Sequence, residues 1–454
     1  MDGTTAIGGT SLTRTLAERA GAVTYEALPA EVRELARQCV LDYVGVGLAG
    51  ADDELAHILL DELAEAGGAA QAAVIGHAAR LPVLSAALVN GAIAHALDYD
   101  DVNLAMPGHP SVAILPALLA LAEQRKASGK AVIAAFVAGY ETCCAIGMAL
   151  RPGHYDRGFH ATGTVGAFGA AAACAHLLGL DAEATERALG IAGTQSAGLK
   201  SQFGTMCKPF HAGKAAQNGL LAARLAARGF SSRPDLVECA QGFAATHAPE
   251  FHPEKALAAP KHGFHLHANL FKYHAACYMT HAPIECARAL REQQGVMPAD
   301  IAAIALTVHQ ASSRICNIPA PVDGLEAKFS LRQTVAMALS GVDTASLGTY
   351  SAETATDPAL AALRERVSFD FRADVPEAGA EIAVELKDGR TARATFDAGI
   401  PDSDIAHQGR RLAEKFAALA APVVGDARAR ELREKIAGLD RLADIGVLAR
   451  LAAR

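Results

Sequence analysis

Two motifs stand close together in this chain: His95-Ala-Leu-Asp98-Tyr-Asp100-Asp101, then Gly108-His109-Pro110-Ser111. They bring three carboxylates and two imidazoles into one short stretch flanked by apolar sequence. Charge is costly to desolvate, so carboxylates at the mouth of an apolar region need a reason to be there. Three chemistries fit. Clustered oxygens suit a hard divalent cation, although the spacing is not that of an EF-hand loop. A solvated acidic turn is the plain alternative. The third is general acid–base work, favoured here because Asp98 follows the nearly all-apolar run 81–97, which reads as a buried helix. A carboxylate at a helix C-terminus opposes the helix dipole, a cost that function or a salt bridge would offset.

Other motifs supply complementary groups. In Gly108-His109-Pro110-Ser111 the proline fixes φ and Ser111 is a natural N-cap, so the imidazole is expected at the start of a helix. That setting disfavours the imidazolium and suits a proton acceptor, though a purely structural histidine fits as well. His160 lies in Gly158-Phe-His-Ala-Thr162-Gly163-Thr164, where a loop enters a small-residue helix whose first N–H groups attract anions. No GxGxxG or Walker pattern accompanies it. Lys208 and His211 lie in Lys208-Pro209-Phe210-His211-Ala-Gly213, read as the end of a polar loop over 199–213. Lys272 and Tyr273 lie in Asn269-Leu-Phe-Lys272-Tyr273-His274. Each lysine alone suits a solvated side chain; with the histidines they describe a pocket for an anion carrying several carboxylates. The run His262-Gly-Phe-His265-Leu-His267 has a metal-like composition, with His265 and His267 on one strand face, but no third spaced ligand. No Gly-x-Ser-x-Gly elbow supports a serine hydrolase.

The elements that must position these groups are mostly helical. Capped or amphipathic helices are expected over 11–20, 28–50, 52–66, 111–126, 130–150, 164–178 and 214–228. Strands are expected over 301–309, 367–371, 380–386 and 391–396, the last two joined by the hairpin signal Lys387-Asp388-Gly389-Arg390. Residues 330–341, 403–420 and 426–452 return to helix. The expected fold class is therefore mainly α, with a smaller α+β part.

At 454 residues, 51% hydrophobic and 20% charged, the chain is long enough for two or three domains. A net charge of −8 argues against a general nucleic-acid partner. The nine cysteines include no CxxC pair, which disfavours zinc-ribbon, iron–sulfur and thioredoxin-like sites. The first residues carry no signal-peptide pattern and the apolar runs are interrupted, so a cytoplasmic protein without a membrane partner is expected.

Taken as an ordered set, these motifs resemble the MmgE/PrpD family. The matching stretches are His95–Asp101, Gly108–Ser111, Gly139-Tyr140-Glu141, Gly158–Gly166, Lys208–Gly213 and Phe271–Ala287. The resemblance implies a large all-helical domain built from both chain ends (1–266 completed by 401–454) and a smaller α+β lid domain (267–400), in a homodimer. It implies a cofactor-free, metal-free site for a small di- or tricarboxylate, with Asp98, His109, His160, Lys208 and Lys272 as the site residues. The family includes 2-methylcitrate dehydratase, cis-aconitate decarboxylase and iminodisuccinate epimerase. The reading led by the resemblance is a dehydratase-type lyase, with epimerase, decarboxylase or a non-catalytic polycarboxylate binder as alternatives. Two positions depart from the decarboxylase pattern: Val102 stands where that pattern has Thr, and Cys277 where it has His.

Overall fold

The computed structural model describes residues 11–454. By internal contacts the chain forms two compact units. One is the chain up to Phe271 together with Ser403–Arg454; the other is Lys272–Asp402.

The first unit is helical. Its interior is made of helices whose small residues let backbones approach closely. The helix Ala161–Leu177 packs against Pro110–Arg125, Gly129–Leu150 and Cys207–Ala226, and Cys207–Ala226 also packs on Val83–His95. Gly91 and Gly213 mark a close helix crossing, where a Cβ on Gly213 would lie 2.1 Å from the carbonyl oxygen of Leu88. Only glycine allows that spacing. Large side chains such as Phe136, Tyr140, Phe168 and Ile114 are fully buried in this unit, each contributing about 1.5–3 kcal/mol by leaving water. Gly129–Leu150 is long and apolar enough to cross a membrane by length and composition, and 83% of its apolar window is buried inside the fold, as in a core helix. The C-terminal segment adds the helix Ile405–Val424, which packs along Ala30–Ala49. Ser11 caps the first described helix by accepting from the Arg14 backbone N–H, as its position in the sequence suggests.

The second unit carries a four-stranded sheet in the order Val367–Arg372, Ile301–His309, Gly379–Leu386, Thr391–Asp397. The first pair is parallel and the other two are antiparallel. The hairpin expected at 387–390 joins the last two strands. The helix His281–Gln294 packs on the Gly379–Leu386 and Thr391–Asp397 strands, and Leu331–Leu339 packs beside that helix. The four expected strands are present to within a residue.

Three local expectations are corrected. The helix expected over 81–97 runs Val83–His95, so Asp98 lies three residues beyond it rather than on its end. Its left-handed φ of 49° explains the early stop, since an aspartate tolerates that conformation and a helix does not continue through it. Lys208 and His211 sit on the Cys207–Ala226 helix, not in a loop. Pro209 is harmless there, because the first turn of a helix needs no N–H donors. His265 and His267 lie on a 3-10 turn, not a strand; the backbone N–H groups of His265 and Leu266 donate to the Glu141 carboxylate at 2.8 and 3.0 Å.

Candidate active site

The turn after Val83–His95 is the centre of the first unit's polar cluster. The His95 Nδ1 lies 2.9 and 3.1 Å from the two Asp100 carboxylate oxygens. The His109 Nδ1 lies 2.9 Å from Asp100 Oδ2, and its other nitrogen, Nε2, lies 3.5 Å from Asp98 Oδ1. Asp98 Oδ1 also receives the Lys208 ammonium at 2.9 Å. Asp98 is half exposed, whereas the Asp100 side chain is 1% exposed.

Each group is placed by a nameable local cause. His109 occupies the cap position before Pro110–Arg125, with Pro110 at the first helical residue. Its backbone N–H donates to Thr162 Oγ1 at 3.1 Å. The expected cap, Ser111, lies inside the helix instead, and its hydroxyl donates to Asp101 at 2.5 Å. His160 holds the cap position of Ala161–Leu177. Its ring stacks on His95, with centroids 5.8 Å apart and planes 19° apart, and its Nδ1 meets His211 Nδ1 at 3.1 Å. Phe203 closes against the His160 ring edge-on at 5.0 Å, and the Lys208 ammonium lies 5.2 Å from the Phe203 centroid. Five of the sequence-selected residues, Asp98, His109, His160, Lys208 and His211, thus meet in the first unit. Lys272 and Tyr273 open the second unit, where Lys272 is buried and its ammonium lies 6.0 Å from the Tyr278 ring.

The electrostatics divide the cluster. Burial pushes His95 down to about 4, so its ring is neutral near pH 7. Burial, reinforced by His95 and His109, drives His160 far below the usual histidine range, and burial lowers His211 as well. For Asp100, burial works toward the neutral acid. The two imidazoles outweigh it and hold the carboxyl well below its ordinary value. Asp101 goes the other way: burial and the nearby Asp42 push it up to about 7, despite donors from Ser111 and Asn269.

One ligand atom each from His95, Asp98, Asp100 and His109 lies within 4.8 Å of the others, so these four could hold a cation by geometry. The cation placed here by the chain itself is the Lys208 ammonium, on Asp98. His95 and Asp100 were not among the sequence-selected site residues. The signal for them was present in the His95-x4-Asp100 spacing of the first motif, which brings the two side chains together across the turn.

Residues 14–256 match the MmgE/PrpD N-terminal domain and residues 274–441 match the MmgE/PrpD C-terminal domain. A cis-aconitate decarboxylase of Aspergillus terreus is 29% identical over 458 residues, spanning 93% of this chain and 92% of that protein. The human cis-aconitate decarboxylase is 29% identical over 438 residues, spanning 92% and 90%. The mouse enzyme is 29% identical over 433 residues, spanning 91% and 88%. Matched through both of its family domains, this chain belongs to the MmgE/PrpD family.

Proposed function

We propose that this chain is a cofactor-independent lyase that decarboxylates a small tricarboxylate of the cis-aconitate kind. The observation that carries the reading is the group Asp98, Lys208, His109 and His160: an anion-binding ammonium beside two imidazoles, one of them next to a carboxylate. Similarity along more than nine-tenths of the chain to cis-aconitate decarboxylases supports this over the dehydratase that the motifs first suggest.

The chemistry such a substrate needs is matched to these groups. Loss of CO₂ leaves an electron pair on carbon beside a carboxylate. The pair must be stabilised and then protonated. Lys208 and Lys272 are assigned to the substrate carboxylates, with Tyr273 and His211 as further contacts. A bound carboxylate would draw Lys208 away from Asp98, freeing that carboxylate beside His109 Nε2. His109 is then the proton carrier. His160, neutral through burial, serves as a hydrogen-bond donor or acceptor. Asp100 is occupied by two imidazole nitrogens and Asp98 by an ammonium, so the reading uses these side chains rather than a metal ion.

Val102 and Cys277, which depart from the decarboxylase pattern, favour a second reading: the same proton chemistry on a different polycarboxylate, as dehydration or epimerisation. Proton NMR in D₂O with cis-aconitate, 2-methylcitrate, citrate and iminodisuccinate separates the readings. Disappearance of cis-aconitate with CO₂ release and one deuterium in the product is the expected result. Water loss from 2-methylcitrate, or deuterium exchange into iminodisuccinate without CO₂, would replace decarboxylation by the second reading. No exchange and no turnover of any acid would leave a polycarboxylate-binding protein.

A further inference from the structure

We propose that Asp100 is the positioning residue for His109: its carboxylate, held between the Nδ1 atoms of His95 and His109, confines the exchangeable proton of His109 to Nε2, the ring nitrogen that faces Asp98. The inference rests on the reading of His109 as a proton carrier and says how that role is set.

An ionised carboxylate has no hydrogen to give, so a ring nitrogen in contact with it must be the donor. Asp100 lies 2.9 Å from both Nδ1 atoms. The His95 contact has hydrogen-bond geometry, whereas the His109 contact is a close ion-pair approach outside it; beside a carboxylate, each is attractive only with hydrogen on Nδ1, whether the ring is neutral or cationic. That leaves Nε2 as the one position where His109 gains or loses a proton. The Nε2 atom is 3.5 Å from Asp98 Oδ1, the oxygen that also holds Lys208. Without the carboxylate, an imidazole exchanges between its two tautomers, and the wrong one turns the lone pair away from the reacting side.

The surroundings keep this arrangement fixed. The Asp100 side chain is 1% exposed and that of His95 is fully buried, so water does not compete for the carboxylate. His95, whose ring centroid lies 4.5 Å from that of His109, engages both Asp100 oxygens and limits the rotation of the carboxylate. His109 itself is tethered through its backbone N–H to Thr162 and is followed by Pro110. A carboxylate that fixes the tautomer and direction of a working histidine is a recurrent device, and replacing it by an amide costs such sites up to about 10⁴ in kcat. In this account Asp100 acts only through His109.

The test combines spectroscopy and kinetics. Nitrogen-15 histidine spectra of the ligand-free protein, recorded on the alkaline side of the His109 titration, are expected to show the Nδ1-protonated tautomer. Asp100→Asn is expected to convert His109 to a mixture or to the other tautomer. It is also expected to lower kcat at least about a hundredfold while KM stays within about threefold. A parent spectrum with hydrogen on His109 Nε2 and not on Nδ1 would overturn the proposal with no variant needed. So would an Asp100→Asn protein that keeps both the tautomer and kcat. If Asp100→Asn does not fold, His95→Gln serves: it leaves the carboxylate on His109, so the Nδ1 tautomer is expected to persist, and its loss there would count against Asp100. Failure of the enzyme to turn over any polycarboxylate removes the lyase reading, while the tautomer in the ligand-free protein still decides the role of Asp100.

Discussion

Asp100 and Asp101 are neighbours in sequence and both fully buried, yet they are driven in opposite directions. Asp100 looks into the imidazoles of His95 and His109, which favour its charge. Asp101 looks the other way, accepting from Ser111 and Asn269 and lying beside the Cys39 thiol, where the donors are neutral. Behind it stands a second ionic pair, Lys415 on Asp42 at 2.6 Å, with the same ammonium donating to the Tyr99 carbonyl at 2.7 Å. Desolvation is similar on both sides of the turn. The partners decide which carboxyl stays ionised. The difference separates a working face, where charge is held for use, from a supporting face, where one acid is pushed toward neutrality and another is paired.

The largest effect expected from breaking this contrast is at the supporting pair. Lys415→Met leaves Asp42 buried without its cation and is expected to cost about 3–5 kcal/mol in urea unfolding. An unchanged midpoint would show that Asp42 gives up its charge instead of needing a partner.

Next comes the pH dependence, where the two aspartates should oppose each other. Asp101 is raised from 3.8 to about 7, so its contribution to stability is full below about pH 4 and is lost as pH rises toward about 7. Asp101→Asn removes that loss. Relative to the parent, it is expected to gain stability as urea midpoints are taken from about pH 5 to about 7 and to level off above that. Asp100 is lowered, so its contribution is present above about pH 4 and disappears only as pH falls further. Asp100→Asn should therefore show no gain relative to the parent over the same range. A constant difference for Asp101→Asn would erase the contrast. The smallest effect is at Ser111→Ala, which removes a donor from Asp101 and should cost about 1 kcal/mol near pH 7, measured the same way.

Much of this was legible in residue order. Strands over 301–309, 367–371, 380–386 and 391–396, the last two joined by a hairpin signal, fall within a residue of those observed, and the apolar run 81–97 contains the helix Val83–His95. Asp98, His109, His160, Lys208 and His211 could be chosen because each sits in a motif rich in turn and cap residues. What could not be read was direction. Nothing in the sequence says that Asp98 would be half exposed while Asp100 is sealed between two rings; that depends on a left-handed residue at 98, which turns the chain so that Tyr99 and the two aspartates after it point inward. Pro209 and two basic residues make the start of helix 207–226 look like loop, whereas packing of Gly213 against the Leu88 carbonyl favours helix from residue 207. Lys415 carries no signal in the sequence, because its partners, Asp42 and Tyr99, lie more than three hundred residues away along the chain.

That remote lysine sets an order on biosynthesis. The turn holding Asp98 and Asp100 is made in the first quarter of translation, but the ammonium that grips its Tyr99 carbonyl arrives only after the whole of Lys272–Asp402 has been synthesised. Until then Asp42 has no cation, and the nascent helical body must wait on the ribosome in an incomplete form. A messenger cut short after the second unit would yield a chain that carries every imidazole of the cluster in its sequence but lacks the brace behind it.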